Sequence, residues 1–326
     1  MTVTFGAGVT YTMLLQALVK EQVALPNLPS LPHLNVVGSV VTGTHGGGLN
    51  NQQAANWVVS MKMVDPDGEV RVVDQNTPEF KRYLHSFNLL GVITEMTMKV
   101  EPEYAVIKCI YKDLPWDFLN NESLYKEVMY SHDFISFFTD WKRPRMTSAW
   151  LGTKVDMDYY REHKDENPCK SFYGAHLVDR IHPSDYNPEA CVWTGVGMWN
   201  EKIYHFLPDQ EPSSAGNEIQ TEVFVSYEDF PEAAGRIYAL QPVLEDALQI
   251  TEIRAVKADD IPLSPAYKKD VVGIHFTWKP DQDKINFPLI LIQNTLERYK
   301  YRVHYGKMFF ETHNLLSEYW PDFLKL

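Results

Sequence analysis

The stretch from Ser30 to Asn51, SLPHLNVVGSVVTGTHGGGLNN, carries five glycines, three of them consecutive at Gly46, Gly47 and Gly48. Glycine-rich turns beside strands often cradle phosphates, because a residue without Cβ lets backbone N–H groups approach closely. This stretch matches neither GxxxxGK[ST] nor GxGxxG. Two readings stand open at this point: a flexible surface turn, or one wall of a nucleotide site.

Working outward, TVTFGAGVTY (Thr2–Tyr11) alternates like a strand and bends at Gly6 and Gly8. From Thr12, Leu14, Ala17 and Leu18 follow helical spacing. NWVVSMKMVDPDGEVRVVD (Asn56–Asp74) reads as two strands joined at Pro66-Asp67-Gly68. Thr77-Pro78 predicts an N-cap and first helical residue, opening a helix into the eighties. GVITEMTMKV adds a strand with Met96, Met98 and Val100 on one side. The first hundred residues are therefore α+β with hairpins, not repeated βαβ units.

After Pro102 the pattern changes. Residues 134–151 predict two strands around Lys142–Arg145, and 152–216 are polar and proline-rich. NEIQTEVFV is strand-like, and Ser226 with Asp229 resembles a capping box before a helix that ends near Pro242. Strands at 248–255 and 271–278 and a helix over 285–300 complete the reading. The expected boundary lies near Tyr104: residues 1–103 form one unit, 104–326 the other.

Bulk properties exclude several classes. The chain has 326 residues, 44% of them hydrophobic, enough for about two cored domains. The formal charge of −13 argues against nucleic acid or an anionic membrane as partner. No apolar run reaches the length of a membrane span. Cys109, Cys169 and Cys191 are few and widely spaced, which predicts reduced structural thiols and no metal site. No signal peptide is visible, so a cytoplasmic location is expected.

Two strands carry unusual polar pairs. LQITEIRAV places Glu252 and Arg254 on one face, and VVGIHFTWK places His275 and Thr277 on one face. Buried charge is costly unless paired. Either Glu252 and Arg254 form an exposed ion pair, or the pairs build a polar wall for a hydroxylated ligand. RVHYGKMF adds His304 and Lys307 around Gly306; by itself this is a solvated loop. No GxSxG, HExxH or paired CxxC occurs, which weakens hydrolase and zinc readings.

The ordered set SLPHLNVVGSVVTGTHGGG, LLGVITEMT, FTDW, TEIRAV, LSPAY, HFTW and HYGK resembles the aldonolactone and alditol oxidases, flavoenzymes of the vanillyl-alcohol-oxidase type. Within them the likeness is strongest to the alditol (xylitol or sorbitol) oxidases. The resemblance implies the second half of a PCMH-type FAD-binding domain followed by a substrate (cap) domain, an antiparallel sheet flanked by helices. It implies FAD contacts from Ser30, Asn35, Gly38, Ser39, Val40, Val41, Thr42, the backbone of Ile93, and His304. It implies substrate contacts from Ser30, Glu252, Arg254, His275, Thr277 and Lys307, with Lys307, Arg254 and Glu252 at the reacting end. Lys307 and Arg254 would stabilise alkoxide character on the substrate and negative charge on reduced flavin.

The implied reaction oxidises a primary alcohol of a polyol with O2, giving an aldose and H2O2, by a chain expected to be monomeric. A sugar lactone as substrate, or a polyol-binding remnant without flavin, are the alternatives. The family's GxGHS loop, whose histidine bonds the flavin covalently, does not occur in these 326 residues, so covalent attachment is not expected. The chain ends at YWPDFLKL without the family's DPxGKFxN strand, so it reads as truncated at both ends. Other departures are Gly47 where serine is usual, Asn88 where glycine is usual, and Tyr305 where tryptophan is usual.

Overall fold

The computed structural model of the chain describes residues 1–184, 186–210 and 217–310. The YWPDFLKL end lies outside them.

The first hundred residues build a four-stranded antiparallel sheet in the order Thr2–Gly6, Val92–Lys99, Val58–Val64, Val70–Asp74. Met61, Met96 and Met98 alternate onto its inner face and are fully buried. Two helices pack with it. Tyr11–Lys20 is capped by Thr10, and Val36–Thr42 is capped by Asn35, whose Oδ1 accepts from the Gly38 N–H at 2.7 Å. The segment Gly38–Thr42, expected as a loop, is thus helical, and Gly43 ends it in the left-handed region at φ 78°.

The larger sheet has nine strands among the described residues. Its path runs His176–Val178, Ala105–Pro115, Arg145–Val155, Phe134–Thr139, Leu248–Val256, Val271–Trp278, Ile219–Ser226, Arg302–Val303, with Gly195–Met198 also on Ala105–Pro115. Neighbouring strands are antiparallel throughout. One face packs under the helices Phe230–Tyr238 and Gln282–Leu296. The other shares a core with the small sheet and its helices: Phe134, Phe138, Trp150 and Ile250 lie in one cluster with Leu14, Val40 and Met96. Apolar burial on both faces explains why Phe134–Thr139 is hydrophobic without alternation.

Three expectations are corrected. Thr77 does not cap a long helix: the helix is only Phe80–Leu84, and the Thr77 hydroxyl accepts from Asp74 N instead. The last helix starts at Gln282, earlier than expected, because Asp281 caps it. Cys109 and Cys169 are not both free thiols. They form a disulfide with Cα atoms 5.7 Å apart, while Cys191 is free and buried. Sixty residues separate that pair in sequence, so nothing local signalled it.

The glycine run serves chain packing. Gly48 has φ +108°, and a Cβ there would lie 1.9 Å from the Asp133 carbonyl oxygen. A Cβ on Gly47 would meet the Ile135 oxygen at 2.2 Å, and one on Gly46 would meet the Asn27 side chain at 2.2 Å. The Gly48 N–H donates to Ala255 O at 3.0 Å, forming a parallel bridge with Val256. The run threads a slot between Asn27 and the start of the Phe134–Thr139 strand. At Gly47 and Gly48 the obstacle is backbone, so a side chain there would require the Phe134–Thr139 strand to shift.

Candidate active site

The site grows from three adjacent strands. On the central one, Val271–Trp278, the residues Gly273, His275 and Thr277 share a face. Its neighbour Leu248–Val256 sets Arg254 opposite Gly273, Glu252 opposite His275 and Ile250 opposite Thr277. Its other neighbour, Ile219–Ser226, sets Phe224, Glu222 and Gln220 opposite the same three residues. Three polar pairs therefore lie side by side where a core sheet ordinarily places apolar residues.

A cavity of about 400 Å³ opens above this face. Its floor is Gln220, Arg254, His275, His304, Gly306 and Lys307. Its opposite wall is the opening stretch of sequence: Ser30, Leu31, Leu34, Asn35, Gly38, Ser39, Thr42, Thr44 and His45. Nine residues expected from the sequence meet there: Ser30, Asn35, Gly38, Ser39, Thr42, Arg254, His275, His304 and Lys307. Val40 and Val41 instead face the core, and Ile93 lies buried in its strand opposite Met63. Glu252 and Thr277 are buried in the floor without lining the cavity. The exposed-ion-pair reading of Glu252–Arg254 is overturned, since Glu252 is 5% and Arg254 7% exposed.

Electrostatics in the floor are tightly paired. Glu252 Oε1 lies 3.3 Å from Arg254 Nε and 3.3 Å from His205 Nδ1, and Oε2 lies 3.7 Å from His275 Nδ1. Burial alone would raise the Glu252 carboxyl, but Arg254, His205 and His275 hold it below the ordinary range. Burial lowers His205 to about 3 and lowers His275 and His304 as well, so these rings are neutral near pH 7. Both ring nitrogens of His275, Glu252 Oε1 and His205 Nδ1 are buried without a hydrogen bond. Buried polar atoms ordinarily find partners. Of these residues, His275 lines the cavity, where its ring can meet a ligand rich in hydroxyls.

Two floor residues had a sequence signal that went unread. Gln220 and Glu222 sit two apart in NEIQTEVFV, the same alternation that marked Glu252 and Arg254. His45, quoted within the glycine stretch, had no assigned role. It meets Glu222 with Nε2 at 2.9 Å.

The comparisons can be set beside this geometry. The family described as FAD binding domain matches residues 1–74. An alditol oxidase from Streptomyces sp. is 32% identical over 94% of this chain and 72% of its own. The chain belongs to the alditol oxidase family. The L-gulonolactone oxidase of Mus musculus is more distant from this chain, 22% identical over 99% of it and 76% of its own length. Among solved structures, a solvent-stable cholesterol oxidase superposes with TM-score 0.69 at 14% identity, covering 94% of this chain and 71% of its own. That likeness carries the fold, mixed α+β as expected. As a member of the alditol oxidase family the chain is an FAD-dependent oxidase that acts on an alcohol with O2. Small side chains along the wall (Ser30, Gly38, Ser39, Thr42, Thr44) leave room for a flat cofactor against it.

Proposed function

We propose that this chain oxidises a primary alcohol of a linear polyol, of the xylitol or sorbitol kind, to the aldose with release of H2O2. The observation that carries this reading is the three-strand polar floor, with His275 and two cations, Arg254 and Lys307, lining one cavity. Bound FAD supplies the hydride acceptor and the two-electron exchange with O2.

The chain's own residues do the rest. Ser30, Asn35, Gly38, Ser39 and Thr42 form the wall that holds the cofactor, with His304 across the cavity. Lys307 Nζ and Arg254 stabilise the substrate oxygen as its proton leaves, through fixed charge at the cavity floor. His275, Gln220 and Ser30 bind the remaining hydroxyls, and Glu252 holds Arg254 and His275 in place. A site that hydrogen-bonds hydroxyls discriminates strongly against analogues lacking them. We divide the chain into a cofactor unit, 1–103, and a substrate unit, 104–326. The two sheets, built from strands on either side of that point, support the division.

The test is direct. Purified protein with added FAD should release H2O2 with xylitol or sorbitol at a kcat/KM at least tenfold above that with galactono- or gulonolactone. Faster turnover of the lactones would reassign the substrate, and no peroxide with either class would remove the proposal.

A further inference from the structure

Lys307 does not stand alone in the floor. Its ammonium pairs with Glu222 Oε2, a contact made with a carboxylate that is 2% exposed. The other oxygen, Oε1, lies 2.9 Å from His45 Nε2. His45 belongs to the glycine stretch, and its Nδ1 lies 2.8 Å from the Gly46 carbonyl oxygen. A carbonyl only accepts, so Nδ1 carries a hydrogen. The Nε2–Oε1 contact then requires a second proton, on one atom or the other.

Room for this carboxylate has been left deliberately clear on the neighbouring strand. A Cβ at Gly273 would come within 2.9 Å of Glu222 Oε1 and within 2.9 Å of Phe224 Cε1. The same glycine sits opposite both Phe224 and Arg254 in the sheet. One buried carboxylate thus bridges the wall of the cavity and its floor, and a bare position beside it admits that arrangement.

We propose that Glu222 is a positioning residue for the oxidation: it fixes the Lys307 ammonium over the cavity with one oxygen and locks His45 of the glycine stretch with the other. The inference rests on the reading of Lys307 as the cation at the reacting oxygen. Burial alone would raise the Glu222 carboxyl, but Lys307 and His45 hold it well below the ordinary range. The other titratable groups facing this cluster are His275 and His304. Burial and the Lys307 charge keep both neutral near pH 7, so Glu222 is the anion of the cluster, shared between Lys307 and His45.

Glu222→Gln is the discriminating change. Glutamine keeps the shape, donates to His45 Nε2 from its amide and accepts from Lys307 through its oxygen, so the fold survives while the charge is lost. Without the carboxylate, the Lys307 amine is no longer held in the ion pair and is freer to meet an electrophile. Trinitrobenzenesulfonate labelling at pH 8, mapped by peptide mass spectrometry, should modify Lys307 at least tenfold faster in Glu222→Gln than in wild type, with Lys81 as the unchanged control. Gly273→Ala, which crowds the carboxylate, should move the rate the same way. In FAD-loaded protein, kcat for xylitol should fall about 10- to 100-fold, as when the outer partner of an active-site ligand is removed, with KM changed less than threefold.

A Lys307 labelling rate within twofold of wild type in both variants overturns the proposal. So does a kcat within threefold of wild type in Glu222→Gln. Accelerated labelling in a protein whose wild type makes no peroxide would retain the Glu222–Lys307 pairing and remove only the polyol reading.

Discussion

At the residue scale, the floor of the cavity shows how much burial changes a side chain. His205 is enclosed by Trp150, Phe138 and Glu252 and sits 4% exposed. Its ring is held neutral down to about pH 3, whereas in the unfolded chain it protonates below about 6.5. The unfolded state therefore binds more protons in that window, and stability falls as pH drops from about 6.5 toward 3. Glu252, with its carboxyl depressed, adds a loss at the acid end of the same range. We expect about 2 kcal/mol of the stability present at neutral pH to be lost through His205 alone by pH 5. Urea midpoints measured at pH 7.5 and pH 5 should differ by less in His205→Gln than in wild type; equal shifts would refute the assignment. Arg254 and His275 were legible in the sequence because polar residues at period two stand out among valines and isoleucines, whereas His304 and Lys307 were marked only by the family likeness. The pairing of His45 with Glu222 was not legible, because it is a contact across 177 residues of chain.

At the scale of the element, the glycine stretch is where sequence and structure part most instructively. Its wall position by the cavity was readable from the family motifs. The reason for three successive glycines was not, because the atoms that exclude a side chain belong to Asn27, Asp133 and Ile135. Gly48 and Gly68 make a controlled pair. Both have positive φ, at +108° and +84°, yet nothing lies within 4 Å of a Cβ at Gly68. Gly68→Ala should cost about 1 kcal/mol from backbone strain alone. Gly48→Ala adds a clash with the Asp133 carbonyl and should cost about 3 kcal/mol or more in urea denaturation. Comparable losses in the two variants would show that the slot relaxes. Asn88 illustrates a gentler case: it replaces the family's glycine at φ 59°, a left-handed position that asparagine tolerates better than most residues.

For the whole molecule, most strand positions followed from residue patterns, the pairing order in the sheets did not, and the helix boundaries moved where a cap such as Asp281 lay outside the apolar repeat. The Cys109–Cys169 bridge did not follow from anything in the chain's composition. It closes a loop across a separation of 60 residues and ties the Ala105–Pro115 strand to the segment after the Met157–His163 helix. By loop-closure entropy such a bridge contributes about 4 kcal/mol. Dithiothreitol, or Cys169→Ala, should lower the urea midpoint accordingly, and an unchanged midpoint would mean the thiols are free in solution. A bridge of this kind is favoured in oxidising compartments, the reverse of what three scattered cysteines predicted.

The bridge between Gly48 and Val256 has a mechanical meaning as well. The glycine stretch is stitched by a main-chain rung to the strand that carries Glu252 and Arg254. Opening the two sides of the cavity like the jaws of a clamshell would break this rung, so the rung resists that motion and favours entry of a substrate through the existing mouth.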